Sequence, residues 1–113
     1  MRLEAQKYLF DVKQAAERIA RFCAGKTFAD YQGDELLRSA VERQFEIMGE
    51  ALSQLARSDP PLVEQIKDHR KIIAFRNILI HAYATVDDRI VWGVVEGDLP
   101  AFRASLNGLL PDS

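Results

Sequence analysis

Apolar residues recur at three- and four-residue intervals along nearly the whole chain. From about Leu3 to Ala24, Tyr8, Leu9, Val12, Ala15, Ala16, Ile19, Phe22 and Cys23 form one broad helical stripe. Lys7, Lys13, Glu17, Arg18 and Arg21 occupy the opposite, solvated face, and Gly25 is placed to end the helix. After Lys26-Thr27 a second pattern runs through Leu37, Val41, Phe45, Met48, Leu52 and Leu55, with Asp30 or Asp34 as N-cap. Asp59-Pro60-Pro61 closes it, since proline restricts its predecessor and cannot extend the hydrogen-bond ladder. A third pattern starts at Pro61 and carries Leu62, Val63, Ile66, Ile72, Ile73, Phe75, Leu79 and Ile80, with a break expected near Asp68-His69. Thr85-Val86-Asp87-Asp88 reads as a turn and a capped start. Helical pattern returns from Ile90 to Leu110, weakened at Gly93 and Gly97, and Asp98 followed by Pro100 predicts the start of a last helix.

The pattern therefore predicts an all-α fold, an antiparallel up-and-down bundle of four to five helices in one domain spanning residues 1–113. The second helix carries a further stripe, Leu36, Ala40, Arg43, Ile47, Glu50 and Gln54, beside its main one. That surplus suggests homodimerisation through a helix face with a mixed interface.

Composition narrows the chemistry. The 113 residues hold 15 Lys+Arg against 17 Asp+Glu, a formal charge of -2, which argues against a polybasic coat for nucleic acid or membrane. The apolar runs fall short of the ~20 residues of a membrane span, and the start lacks the apolar segment of a signal peptide, so the chain reads as cytoplasmic. Cys23, the single cysteine, and two histidines, His69 and His81, leave no Cys-rich or His-rich metal cage. Cys23 falls on the apolar stripe of the first helix, and His69, among Lys67, Asp68, Arg70 and Lys71, reads as solvated surface. Residues 67–76 hold four bases against one acid, whereas residues 30–59 hold seven acids against three bases. The near-neutral total thus conceals a basic segment leading into the stretch Phe75-Arg76-Asn77-Ile78-Leu79-Ile80-His81-Ala82-Tyr83.

On a regular helix the seven-residue step from Arg76 to Tyr83 falls about 20° short of two turns, which puts both on one face, while His81 is turned by roughly 140° from Arg76. One regular helix does not aim Arg76 and His81 at the same atom. Either the helix ends around His81, or a second, two-fold-related subunit completes the site.

Arg76, four residues, His81, one residue and Tyr83, with Asn77 directly after the arginine, resembles the signature of HEPN domains, and specifically of HepT-like toxins. Glu42-Arg43-Gln44-Phe45-Glu46-Ile47-Met48-Gly49-Glu50-Ala51 resembles the second helix of that group, and Val91-Trp92 and Asp98-Leu99-Pro100 resemble its C-terminal region. The resemblance implies a HEPN-like homodimer acting as the toxin of a type VII-like toxin–antitoxin pair, a metal-independent endoribonuclease on tRNA or mRNA that needs no cofactor. It assigns catalysis to Arg76 and His81, lining one cleft from both subunits, with Asn77 orienting the arginine or a phosphate oxygen and Glu50 supporting the partner subunit's arginine. Both residue types fit that chemistry. A histidine exchanges protons near neutral pH, and an arginine stays charged and grips a phosphate with two donors. The resemblance further implies a minimal nucleotidyltransferase antitoxin that transfers AMP to Tyr83. The alternatives are a non-catalytic HEPN module that binds nucleotide or the nucleotidyltransferase, and a plain helical interaction protein.

Overall fold

The computed structural model describes residues 2–110; Met1 and residues 111–113, at the two ends of the expected 1–113 domain, lie outside the described residues. Helix α1 spans Leu3–Cys23 and buries Ala5, Leu9, Val12, Ala15, Ala16, Ile19 and Cys23, the stripe its period defines. Gly25 follows at φ +72°, a left-handed conformation that a side chain would strain, and turns the chain back. A short α2, Phe28–Gln32, is held by a capping box: Asp30 N–H donates to Thr27 Oγ1 at 3.1 Å and Thr27 N–H donates to Asp30 Oδ2 at 2.9 Å. Asp30 therefore closes the capping box of α2, and Asp34 caps the next helix, accepting from Leu37 N–H at 3.1 Å.

Helix α3, Glu35–Ser58, is the long central element and buries Leu37, Val41, Phe45, Met48, Gly49, Ala51, Leu52 and Leu55. Asp59 ends α3 and caps the single-turn α4, Pro60–Val63, by accepting from Leu62 N–H at 3.2 Å. Helix α5 spans His69–His81 and follows Asp68, whose φ of +60° makes the expected break. The ring of His69 turns inward there. It is only 8% exposed, with Nδ1 at 3.1 Å from the Ile66 carbonyl, which overturns its reading as a solvated residue.

A 3-10 turn, Tyr83–Thr85, leads to α6, Asp88–Gly93, capped by Asp87, which accepts from Arg89 N–H at 2.8 Å. The sequence predicts a fresh start at Asp98-Pro100, but the chain stays helical through a wide turn, Val94–Asp98, into α7, Leu99–Leu106. Pro100 has no N–H for the Glu96 carbonyl, and the turn before it widens so that Leu99 N–H donates to Val94 O instead. Asp98 caps nothing; its carboxylate accepts from Lys71 Nζ at 2.9 Å, which ties α5 to this turn and raises the lysine pKa.

Helix α3 packs along α1 on one side and α5 on the other, while α7 covers α1 and α2 meets α6. Phe45 and Phe75 meet edge to face at 5.1 Å across α3 and α5, and Tyr31 stacks at 5.3 Å on Trp92 between α2 and α6. The described residues thus form the expected all-α bundle, with α3 and α5 placed face to face. Leu36 is left exposed on the second stripe of α3 and Ile47 half-buried. No helix among the described residues is long and apolar enough to cross a membrane.

Candidate active site

The site is built where α5 crosses α3. Arg76 lies two turns into α5 on the side facing α3, and opposite it is Gly49, a glycine in mid-helix. A Cβ placed on Gly49 would stand 2.6 Å from Arg76 Cγ and closer still to Arg76 Cβ. The two helices approach at that point only because Gly49 has no side chain. The stem of Arg76 is wedged against the α3 backbone, and its guanidinium emerges at the rim of a groove with 24% of the side chain exposed.

Two neighbours fix the guanidinium. Nη2 donates to Glu50 Oε2 in an ion pair, and Nη1 donates to Asn77 Oδ1 at 2.8 Å. Glu50 is steadied in turn by Gln54 Nε2, which donates to its other oxygen at 3.1 Å. Arg76 Nε is buried and has no hydrogen-bond partner among the described residues. Glu50 pairs with the arginine of its own chain. Asn77 does touch the arginine, as adjacency in sequence suggested.

His81 is the last residue of α5, exposed, and its imidazole has no hydrogen-bond partner among the described residues. Of the two geometries left open by the sequence, α5 does end at His81. Ala82 N–H closes the last turn onto the Ile78 carbonyl at 2.8 Å, and the backbone leaves the helix at Ala82 with φ -122°. Tyr83 consequently sits in the 3-10 turn, so the regular-helix argument that set it on the face of Arg76 does not apply. Tyr83 is 78% exposed.

Arg76 and Glu50 line a groove of about 520 Å³ whose walls include Arg43, Glu46 and Gln54 of α3 and Ile80 of α5. His81, Asn77 and Tyr83 are not among its walls. One chain thus brings Arg76, Asn77 and Glu50 into a single cluster and places His81 and Tyr83 together at the end of the same helix, a separate location. No group of three or more His, Cys, Asp or Glu side chains among the described residues is arranged to hold a metal ion. Gly49 lies within the stretch that resembles the family's second helix, where the motif assigns it no role. Its signal in the sequence is a glycine in the middle of a strong helical pattern, where it costs about 1 kcal/mol relative to alanine and so calls for a packing reason.

The described residues form a helical bundle in which Arg76 is held against α3 and His81 ends the arginine's own helix, and these are the residues on which the sequence resembles the HEPN class. The family described as "Ribonuclease HepT-like" matches residues 12–108, and the chain belongs to that family. Among its relatives, "Probable ribonuclease HepT" of Thermococcus cleftensis is 33% identical over 109 residues, covering 96% of this chain and 98% of its own. "Putative RNase MJ1380" of Methanocaldococcus jannaschii is 27% identical over 100 residues, covering 88% of this chain and 91% of its own. A further protein of that organism, "Gamma-glutamylcyclotransferase and putative RNase MJ0434", is 30% identical over 109 residues, which take up 94% of this chain and 47% of that protein. No solved structure matches the chain significantly.

Proposed function

We propose that residues 1–113 act as one HEPN-like domain, the cytoplasmic toxin of a toxin–antitoxin pair, that cleaves RNA without a metal ion. The observation that carries this reading is the fixed guanidinium of Arg76, held by Glu50 and Asn77 beside an open groove. Arg76 grips the scissile phosphate as negative charge accumulates on it. His81 takes the proton from the ribose 2'-hydroxyl, whose oxygen attacks the adjacent phosphorus as the bond to the 5'-oxygen breaks. The second histidine of a homodimer gives a proton to the departing 5'-oxygen. Because one chain keeps His81 away from the groove of Arg76, the homodimer is part of the mechanism: it supplies the second copy of each group and closes the gap between them. The products are a 2',3'-cyclic phosphate and a 5'-hydroxyl. Incubation of the purified chain with RNA in EDTA should give those ends, and an uncut substrate would leave the non-catalytic module as the reading.

In the same scheme a minimal nucleotidyltransferase antitoxin transfers AMP from ATP to the Tyr83 oxygen, releasing pyrophosphate. The exposure of Tyr83, 78% for the residue, supports this, since it leaves the side chain open to a second enzyme. An added phosphate two residues from His81 brings negative charge to the surface that the substrate phosphate must approach. Tyr83→Phe should retain RNA cleavage and escape inactivation on co-expression with the antitoxin. Intact-mass measurement checks it: AMP mass on the parent protein and none on the variant is expected, and an equal modification of both would remove Tyr83 from the scheme.

A further inference from the structure

The contacts that hold Arg76 reach one helical turn beyond the residues already assigned to the reaction. Nη1 donates to Asn77 Oδ1 at 2.8 Å, Nη2 donates to Glu50 Oε2, and Gln54 Nε2 donates to Glu50 Oε1 at 3.1 Å. Gln54 stands four residues after Glu50 on α3, the spacing at which two side chains of one helix face meet. Asn77 adjoins Arg76 in the chain, whereas Glu50 reaches it from another helix on a flexible side chain that is 49% exposed. Among the described residues its carboxylate has two hydrogen-bond partners, one for each oxygen: Arg76 and Gln54.

An arginine and a carboxylate favour a two-pronged pair, in which both oxygens accept from one guanidinium. Here Arg76 receives only Oε2, while Oε1 is engaged by the Gln54 amide. The difference matters to a phosphate. Each Nη of an arginine carries two hydrogens. One on Nη1 goes to Asn77 and one on Nη2 to Glu50, so one on each nitrogen remains, and Nε is buried. A carboxylate that closed on Arg76 with both oxygens would take one of those two, and the phosphate would lose its two-donor grip. Gln54 lies on the α3 stripe that faces a second subunit in the proposed homodimer. Exclusion of water there strengthens the case, because both oxygens of a buried carboxylate need protein partners, and Gln54 supplies the second from within the chain.

We propose that Gln54 is a positioning residue for RNA cleavage: by occupying Glu50 Oε1 it keeps that carboxylate on a single donor of Arg76 and leaves one hydrogen on each Nη for the scissile phosphate. Gln54 touches neither substrate nor reacting atoms and acts only through Glu50. The inference rests on the ribonuclease reading and adds the residue that keeps the arginine available to its substrate.

The test compares the cleavage rates of the parent, Gln54→Met, Glu50→Ala and the double variant on a short RNA in EDTA, with the oligomeric state of each measured alongside. Gln54→Met keeps an unbranched side chain of similar length and removes the donor. It should lower the rate by about 3- to 30-fold, the scale of one partly exposed hydrogen bond to a charged group. In the Glu50→Ala background the same change should alter the rate by less than about twofold, because no carboxylate is left to hold; a residue that merely packs would cost the same in both backgrounds. Gln54→Lys, which offers a donor to the same oxygen at the same spacing, should return the rate to within about threefold of the parent. An unchanged rate in Gln54→Met, or an equal loss in both backgrounds, overturns the assignment and leaves the cleavage site standing. A Gln54→Lys protein as slow as Gln54→Met overturns it as well. A Gln54→Met chain that no longer assembles as the parent does assigns the residue to the subunit contact and overturns the proposal. A parent that cuts no RNA overturns this inference together with the ribonuclease reading.

Discussion

Arg76→Ala and His81→Ala should each lower the rate of RNA cleavage by about a hundred- to ten-thousand-fold, with the fold intact. The magnitude follows from what each group supplies: a positioned proton donor or acceptor contributes about 10²–10⁴, and loss of one preorganised charge-stabilising contact costs about 10²–10³. Stability should hardly move in His81→Ala, while Arg76→Ala also loses the packing of the stem against α3. His81 is exposed and unpartnered among the described residues, so its truncation falls within about 0.5 kcal/mol, the ordinary effect of a surface change. Arg76→Ala strands Glu50, but that carboxylate is half exposed and water replaces the guanidinium, so the lost pair is worth at most about 1 kcal/mol. Arg76→Lys should recover little. An ammonium keeps the charge, but it cannot present separate Nη donors to Glu50, Asn77 and a phosphate in one plane. The double variant should be little worse than the singles, because groups acting in one transition state do not contribute additively. Cleavage assays beside circular dichroism and thermal melts check all of this, and a His81→Ala protein as active as its parent would sink the assignment.

Much of the frame is legible in the sequence because it rests on local signals. The stripes of α1 and α3, the stop at Gly25, the Asp59-Pro60-Pro61 boundary and the break at Asp68-His69 each follow from periodicity or from residues that limit the backbone. What local signals do not carry is either short or dependent on distant partners. Helix α2 has five residues and one buried side chain, Tyr31, too little for a period, and only its Thr27–Asp30 box marks it. The charged neighbours of His69 in sequence point to a solvated ring, while the left-handed Asp68 turns that ring away from them toward the Ile66 carbonyl. At the site, the spacing of Arg76, His81 and Tyr83 picks out the residues but not their arrangement. The partner of Arg76 lies 26 positions away on another helix, and only the pairing of α3 with α5 brings Glu50 to it.

The same pairing makes Gly49→Ala a substitution with a large expected structural effect. Two terms oppose each other. Alanine in mid-helix is better than glycine by about 1 kcal/mol. Against that, the new methyl would lie 2.6 Å from Arg76 Cγ and nearer still to Cβ, where ordinary contacts are 3.4–4 Å. The crowded atoms sit at the root of the side chain, so no rotation of Arg76 relieves the clash, and α5 must move away from α3 by about an ångström. Overpacking of that kind costs about 1–3 kcal/mol and more where the backbone has to shift, so it exceeds the propensity gain. The expected net is a fall in Tm of about 5–15 °C for a chain of this size. Displacing α5 also carries Arg76 off its position over the groove, and a misplacement of about 1 Å can cost a hundredfold in rate. Cleavage should therefore fall at least tenfold below the parent at a temperature where the variant is fully folded. The cause is separable from the charge of Arg76: Gly49→Ala should destabilise the Arg76→Ala protein nearly as much as the parent, since alanine retains the offending Cβ. It should lose most of its effect in an Arg76→Gly background. A melt in which Gly49→Ala matches or exceeds the parent would show that the helices can part at that point without strain, and the close approach of α3 and α5 would no longer explain how Arg76 is held.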